Sequence, residues 1–364
     1  MIYRMYGETG KKVSALGFGG MRFEQVDEHG TCVEMMLHAA KGGVNYFDTA
    51  PGYFSKRSEL VFGKAFEEFR RQQIPYYLAT KTFKSTEKEI REELDEQLKR
   101  MNVQHIDFYH IWCITSLDNW HERKQNQILK AFQKIKEEGL IHHICISSHL
   151  VGDQIKELLM EGVFEGVLFG YSAYNFQHRQ AAFDAIRKHN LGCVVMNPLG
   201  GGLIPQNPEL FSFLKTQPKE TITEAAIRFL LAHTDITVTL VGFGNINQVT
   251  EVLNAVHGFD PALIDQLDSL KTKVPHSFDG ICTGCQYCEP CPEGIPISKF
   301  MDAYNQKLLG ESVNGVLDRL KWHWNKPIDL IDNCVECGNC EEDCTQHLNI
   351  IERLKEIRHM KPAK

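Results

Sequence analysis

From residue 14 to about residue 257 the chain alternates short apolar runs of strand length with longer stretches of helical period. The strand candidates are Ser14–Gly20, Tyr46–Ala50, Tyr77–Thr82, Ile106–Trp112, Ile141–Ser148, Gly166–Ser172, Cys193–Pro198 and Thr237–Phe243. Helices read between them. Thr86–Arg100 carries Ile90, Leu94 and Leu98 four residues apart, and Gln125–Glu138 and Thr223–Ala232 are others. Eight strands alternating with helices predict an α/β fold, a parallel (β/α)8 barrel of the TIM type. A doubly wound open sheet is the alternative, but it sets its phosphate-binding glycines straight after the first strand and opens a helix there. Here Gly17-Phe-Gly-Gly20 runs on into Met21-Arg22-Phe23 with no clear helix, so the dinucleotide fingerprint is absent.

Beyond Gly258 the pattern changes. Asp260–Lys271 reads as one more helix, with Leu263, Leu267 and Leu270 on one face. Ile297–Leu309, Val316–Trp324 and Asn349–Arg358 read as helices around two cysteine runs. The organisation expected is a barrel over 1–272 and a small α-helical ferredoxin-like domain over 273–364.

Eight of the twelve cysteines lie in those runs: Cys282, Cys285, Cys288 and Cys291, then Cys334, Cys337, Cys340 and Cys344. Thiolates two residues apart turn several sulfurs toward one small object, and a cube of four irons and four sulfides needs four such ligands. Disulfides are the first competing reading, but a large core and an N-terminus (Met1-Ile-Tyr-Arg-Met-Tyr) that reads as neither signal nor transit peptide point to a reducing compartment. Structural zinc is the second, and it uses two Cys-x-x-Cys pairs rather than unbroken runs of four. Two [4Fe-4S] clusters are therefore expected. In two-cluster ferredoxins the last cysteine of each run serves the other cluster. That rule groups Cys282, Cys285, Cys288 and Cys344, and separately Cys334, Cys337, Cys340 and Cys291. Two details depart from the usual pattern: only two residues precede Cys291, and Thr345 stands where proline is common. The short gap leaves open a cluster held by the first run alone.

Composition narrows the class. The chain has 364 residues, with 47 Asp and Glu against 40 Lys and Arg, and no basic stripe that would suit nucleic acid. No apolar run approaches membrane-spanning length. The expected setting is a cytoplasm, anaerobic if the clusters are present. Cys32, Cys113, Cys145 and Cys193 are scattered and read as small buried hydrophobes, with Cys113 near a candidate site.

In a barrel of this kind catalytic side chains come from the C-terminal ends of the strands and the loops after them. Asp48, Lys81 and the group His110-Ile-Trp112-Cys113 end three strands in order, and Tyr53 follows Asp48 in its loop. Spacing alone would make Asp48 and Lys81 an ordinary ion pair across the barrel mouth.

Residues 1 to 257 resemble the aldo-keto reductase family. Its Asp-Thr-Ala-x-x-Tyr motif matches Asp48 to Tyr53, with Ser58-Glu59 shortly after; its strand-end lysine matches Lys81; and Met196-Asn-Pro-Leu-Gly-Gly-Gly202 resembles its seventh strand end. With the cysteine runs, the chain is similar to the subgroup that carries a ferredoxin domain. The resemblance implies hydride transfer between NAD(P)H and a small carbonyl or alcohol substrate. Tyr53 would donate the proton, Lys81 would ease its loss, Asp48 would hold Lys81, and a histidine would orient the carbonyl. That histidine is expected at 112, which is Trp112; His110 lies two residues earlier on the same strand face, and a bulge would be needed to bring it into play. The implied cofactor contacts are Gly20, Met21, Arg22, Asp48, Ser147, Ser148, Tyr171, Asn197, Pro198, Leu199, Gly201, Gly242, Gln248 and Glu251. The family's pattern drifts in three places: Ser147-Ser148 replaces Ser-Asn, Tyr171 replaces glutamine, and Val252 replaces the asparagine expected after Glu251. No Lys or Arg occurs from Val241 to Val256, so nothing there selects a 2′-phosphate. Two readings stand: a nicotinamide-dependent redox enzyme with a redox partner protein, or an electron-transfer protein on this scaffold that has lost carbonyl chemistry. A flavin at the mouth is a third, with no motif behind it.

Overall fold

A computed structural model describes residues 1–273, 280–289, 291–310 and 313–360. They fall into two compact units, one of 1–199 with 204–273 and one of 200–203 with the described residues beyond 273.

The first unit is the expected barrel. A short hairpin, β1 (Tyr3–Met5) and β2 (Lys12–Ser14), precedes it. Then come β3 (Leu16–Gly19), β4 (Tyr46–Asp48), β5 (Tyr77–Thr82), β6 (Ile106–Ile114), β7 (Ile141–Ser148), β8 (Gly166–Gly170), β9 (Gly192–Met196) and β10 (Val238–Gly242). These eight pair in parallel and in sequence, and β10 closes on β3. The hairpin is absent from the expected elements because its three-residue strands are too short to show a period.

Helix boundaries shift by one to three residues, each for a local reason. Thr86 caps rather than opens the helix Glu87–Met101, accepting from the Glu89 amide. Thr221 and Glu224 form a reciprocal capping box, so that helix runs Ile222–Leu231. The stretch expected from Gln125 starts at Ile128, because Leu117–Gln125 is a helix of its own and Gln127 takes φ 58 between them. In the second unit Ile297–Leu308 and Ile350–His359 form as expected, whereas the helix expected over Val316–Trp324 is Val313–Asp318 followed by a π-helical turn, Arg319–His323. This unit has its own core, in which Phe300, Met301, Tyr304, Ile331, Leu354 and Ile357 pack together.

The floor of the barrel fixes the height of everything above it. Tyr6 fills the interior, its ring centroid 4.1 Å from Phe108 and 6.2 Å from Tyr46. Tyr46, Ala79, Phe108, Cys145, Leu168, Val194 and Val238 pack around it in one apolar cluster. Side chains alternate across a strand. The next inward-facing layer toward the mouth therefore holds Asp48, Lys81, His110 and Ser147.

Small residues make the floor possible. A Cβ added at Gly192 would lie 2.1 Å from the Tyr6 ring, and one at Gly166 would lie 2.2 Å from its hydroxyl. Gly192→Ala is expected to displace Tyr6 and cost about 1–3 kcal/mol as overpacking. A urea unfolding midpoint is the check, and an unchanged midpoint would mean that the floor yields.

Candidate functional site

Lys81 and Asp48 meet one layer above the floor. The Lys81 Nζ donates to both carboxylate oxygens of Asp48, at 2.5 and 2.6 Å, and to the Thr49 carbonyl at 3.0 Å. Both side chains are 1% exposed. Burial raises the Asp48 carboxyl and lowers the Lys81 ammonium, and each charge offsets the shift of the other. Thr49 continues the network: its Oγ1 lies 2.8 Å from Ser58 Oγ, which donates to the Gly20 carbonyl. Beside it Glu59, fully buried, accepts from Thr80, Gln97 and Arg100. Three strand ends and the helix Arg57–Arg71 are thus tied to one another through buried polar groups.

Tyr53 stands in the turn after Asp48, where Phe54, Ser55 and Lys56 all take positive φ. Left-handed backbone at three successive non-glycine residues is costly and turns the chain sharply. The tyrosine is half-buried, and Lys81 Nζ lies 5.6 Å from its ring centroid. Burial pushes the phenol well above its ordinary value, Asp48 and Cys113 add to the rise, and Arg22 draws it partly back. The expected acidification by Lys81 is not seen, because Asp48 matches the ammonium charge at contact distance.

Trp112 occupies the mouth beside Tyr53. Its ring meets Tyr53 edge-on at 5.7 Å and stacks on Phe83 at 3.9 Å, and a Cβ on Gly52 would strike it at 2.7 Å. Arg123 donates to the Trp112 carbonyl at 2.7 Å. The strand does bulge, but at Cys113 (φ 60), between Ile111 and Ile114. His110 stays in the ladder, opposite Lys81 on one side and Cys145 on the other. It is fully buried, neither ring nitrogen makes a well-formed hydrogen bond, and burial and then Lys81 hold it well below the ordinary imidazole range. His110 is therefore a neutral group beneath the mouth, and Trp112 takes the position expected for the histidine. Phe83, Gly52 and Arg123 gave no sequence signal beyond Phe83 following a strand end.

The expected cofactor contacts divide. Gly20, Met21 and Arg22 follow β3, Ser147 and Ser148 end β7, Asn197, Pro198, Leu199 and Gly201 follow β9, and Gly242 ends β10. The Ser147 Oγ is buried and has no hydrogen-bond partner. The side chain of Arg22 lies across Gly242, where an added Cβ would meet its Cγ at 2.6 Å, so a cation reaches β10 from another strand end. Tyr171 is instead fully buried with its ring edge-on to Phe183 and His233. Gln248 already accepts from the Gly244 amide, and Glu251 from the Thr221 hydroxyl.

The cysteines of the second unit gather into two groups. Cys282, Cys285, Cys288 and Cys344 line one cavity with Met301, Leu348 and Ile350. Cys291, Cys334, Cys337 and Cys340 line another, whose wall Cys288 also touches. Asn305 brackets the backbone of Cys282, accepting from its amide and donating to its carbonyl, both at 2.9 Å. Amides of Gly284 and Leu348 point at the sulfurs of Cys282 and Cys344. Thr345 is buried with its Oγ1 3.3 Å from Cys285 Sγ, so the residue in the usual proline position faces the first group. Burial, with Cys285 and Cys344 adding to it, pushes the Cys282 thiol up to about 12, and burial, then Glu341 and the neighbouring sulfurs, push Cys340 up to about 11. Four converging sulfurs with that mutual repulsion suit a positively charged centre.

Comparison with known proteins accords with both units. The profile of the Aldo/keto reductase family matches residues 15–272, and that of a 4Fe-4S dicluster domain matches 281–349. L-galactose dehydrogenase of Arabidopsis thaliana is 29% identical over 72% of this chain and 90% of its own length. The uncharacterized oxidoreductase YrpG of Bacillus subtilis is 25% identical over 74% of this chain and 96% of its own. Among solved structures, the holo form of aldo-keto reductase AKR11C1 from Bacillus halodurans superposes with a TM-score of 0.64 at 24% identity, covering 76% of this chain and 97% of that one. The chain belongs to the aldo/keto reductase family of oxidoreductases, with an iron–sulfur domain following its barrel.

Proposed function

We propose that the barrel mouth binds a nicotinamide and carries out carbonyl reduction or alcohol oxidation, and that the second unit holds two [4Fe-4S] clusters that exchange electrons with a redox partner protein. The observation that carries the first part is the buried Asp48–Lys81 pair set beside Tyr53. A bound nicotinamide would supply or accept hydride, and the clusters would carry single electrons. The unpartnered Ser147 Oγ suits a carboxamide, and the Gly242–Arg22 contact suits a phosphate-bearing ligand. Tyr53 holds the proton that the carbonyl oxygen receives as hydride reaches its carbon. Its raised phenol keeps that proton through neutral pH. Lys81 stands 5.6 Å from the Tyr53 ring and Arg22 draws its phenol down, so both face the negative charge left on the tyrosine, and Asp48 and the Thr49 carbonyl hold Lys81 in place. Trp112 and Phe83 keep water from the reacting face. Crossed ligation is supported by the two groups of four sulfurs.

A second reading, an electron-transfer protein without carbonyl chemistry, is favoured by Trp112 at the histidine position and by His110 lying buried beneath it.

Tyr53→Phe is expected to lower carbonyl reduction about 10²–10⁴-fold with iron content unchanged. Unchanged turnover would remove Tyr53 from the mechanism. Because the phenol is raised and must be protonated to act as donor, reduction is expected to hold through neutral and mildly alkaline pH and to fall only at a pH above the ordinary phenol range; a kcat/KM profile for reduction that falls near pH 7 would contradict this. For the clusters, Cys344→Ala is expected to alter the same paramagnetic signal as Cys282→Ala, and Cys291→Ala the same signal as Cys334→Ala. If Cys291→Ala instead matched Cys282→Ala, each run would serve its own cluster.

A further inference from the structure

At the far end of the barrel from Asp48 and Lys81, the starts of β6 and β7 bring three ligand-type side chains together. His105 precedes β6, Asp107 is its second residue, and His142 is the second residue of β7. Their ligand atoms all lie within 4.8 Å of one another. His142 Nδ1 is 3.4 Å from Asp107 Oδ1, and His105 Nε2 is 4.0 Å from the same oxygen. The other oxygen, Oδ2, accepts from the Leu78 amide at 2.9 Å, which fixes the carboxylate and leaves Oδ1 facing both rings.

Those separations are informative. Both are too long for good hydrogen bonds. Yet donor atoms around one zinc-like ion, with bonds of about 2.0–2.1 Å, stand about 3.3 Å apart in tetrahedral geometry. Although buried, His142 Nδ1 has no hydrogen-bond partner. The 3.4 Å separation of His142 and Asp107 matches that spacing, and the 4.0 Å separation of His105 closes to it with a small turn of the ring.

We propose that His105, Asp107 and His142 form a site for a divalent transition metal of the zinc class, with water completing the coordination. Two imidazoles and one carboxylate are the donor set that such borderline cations take. The two rings stack at 4.1 Å with 26° between their planes, so one must turn to point its nitrogen at the ion. His105 can do so, since its side chain is 46% exposed. Lys11 is the cation that faces His142 and works against the ion; its Nζ also lies 5.7 Å from the Tyr77 ring centroid. The N-terminal face of such a barrel serves stability rather than chemistry. An ion here would clamp Ile106 against its partner Ile141, at the root of the strand that carries Trp112.

The test is a Zn²⁺ titration by calorimetry on the full-length chain purified with its iron retained, beside His105→Ala, Asp107→Asn and His142→Gln. His105 is half exposed, so its replacement leaves the fold intact, and iron content and circular dichroism check this for each variant. The expected result is one saturable site per chain, with Kd weakened at least about tenfold in each variant. Subtracting variant from wild type removes any zinc taken up by the cysteine runs. Absence of saturable binding in the wild type, or equal binding in wild type and all three variants, would overturn the proposal.

Discussion

An ammonium and a carboxylate, each 1% exposed, face each other inside the barrel, and the candidate site is built outward from them. Removing two such charges from water costs several kcal/mol per ion, and an apolar pair of the same volume is often no less stable. Folding energetics alone therefore do not ask for Asp48 and Lys81. Their geometry does more than neutralise charge. Lys81 also holds the Thr49 carbonyl, Thr49 reaches Ser58, and Ser58 reaches the end of β3. The turn that presents Tyr53 is thereby anchored at its root, which lets three successive residues keep left-handed backbone. Without the pair, the turn would lose the Lys81–Thr49 tie at its base and the phenol the ammonium beside its ring.

The second unit solves a similar electrostatic problem with other means. Its sulfurs cannot all be bare thiolates, because burial and mutual repulsion oppose it. The amides aimed at Cys282 and Cys344 and the clamp from Asn305 prepare the first of the two concave groups for a cationic occupant. The groups interleave the two runs, so both must fold together, and the small apolar core around Phe300 and Leu354 gives them a common support.

Much of this was legible in the sequence. Eight strand positions, the strand-end Asp48 and Lys81, and the interleaving of cysteines follow from period, position and spacing. The less legible parts depend on one residue's displacement or on partners distant in the chain. His110 and Trp112 share a strand face, and only the bulge position at Cys113, beyond His110, leaves His110 below and Trp112 in the mouth. The acidity of Tyr53 could not be read either: a lysine at the fifth position of β5 looks acidifying until its charge is seen matched at 2.5 Å by Asp48. Tyr171 and Glu251 sat at motif positions, but Tyr171 is packed against Phe183 and His233, and Glu251 is engaged by Thr221. Arg22 showed the opposite case, since the absence of cations along 241–256 concealed one that arrives from β3.

The central claim is that the mouth above Asp48 and Lys81 still accepts a nicotinamide although Trp112 stands in it. The direct measurement is an anaerobic fluorescence titration of the full-length chain with NADH and, separately, NADPH. The account predicts a saturable change in nicotinamide emission with at least one of them, at one equivalent per chain. No saturable change with either would contradict it and leave the barrel as a scaffold for the iron–sulfur domain.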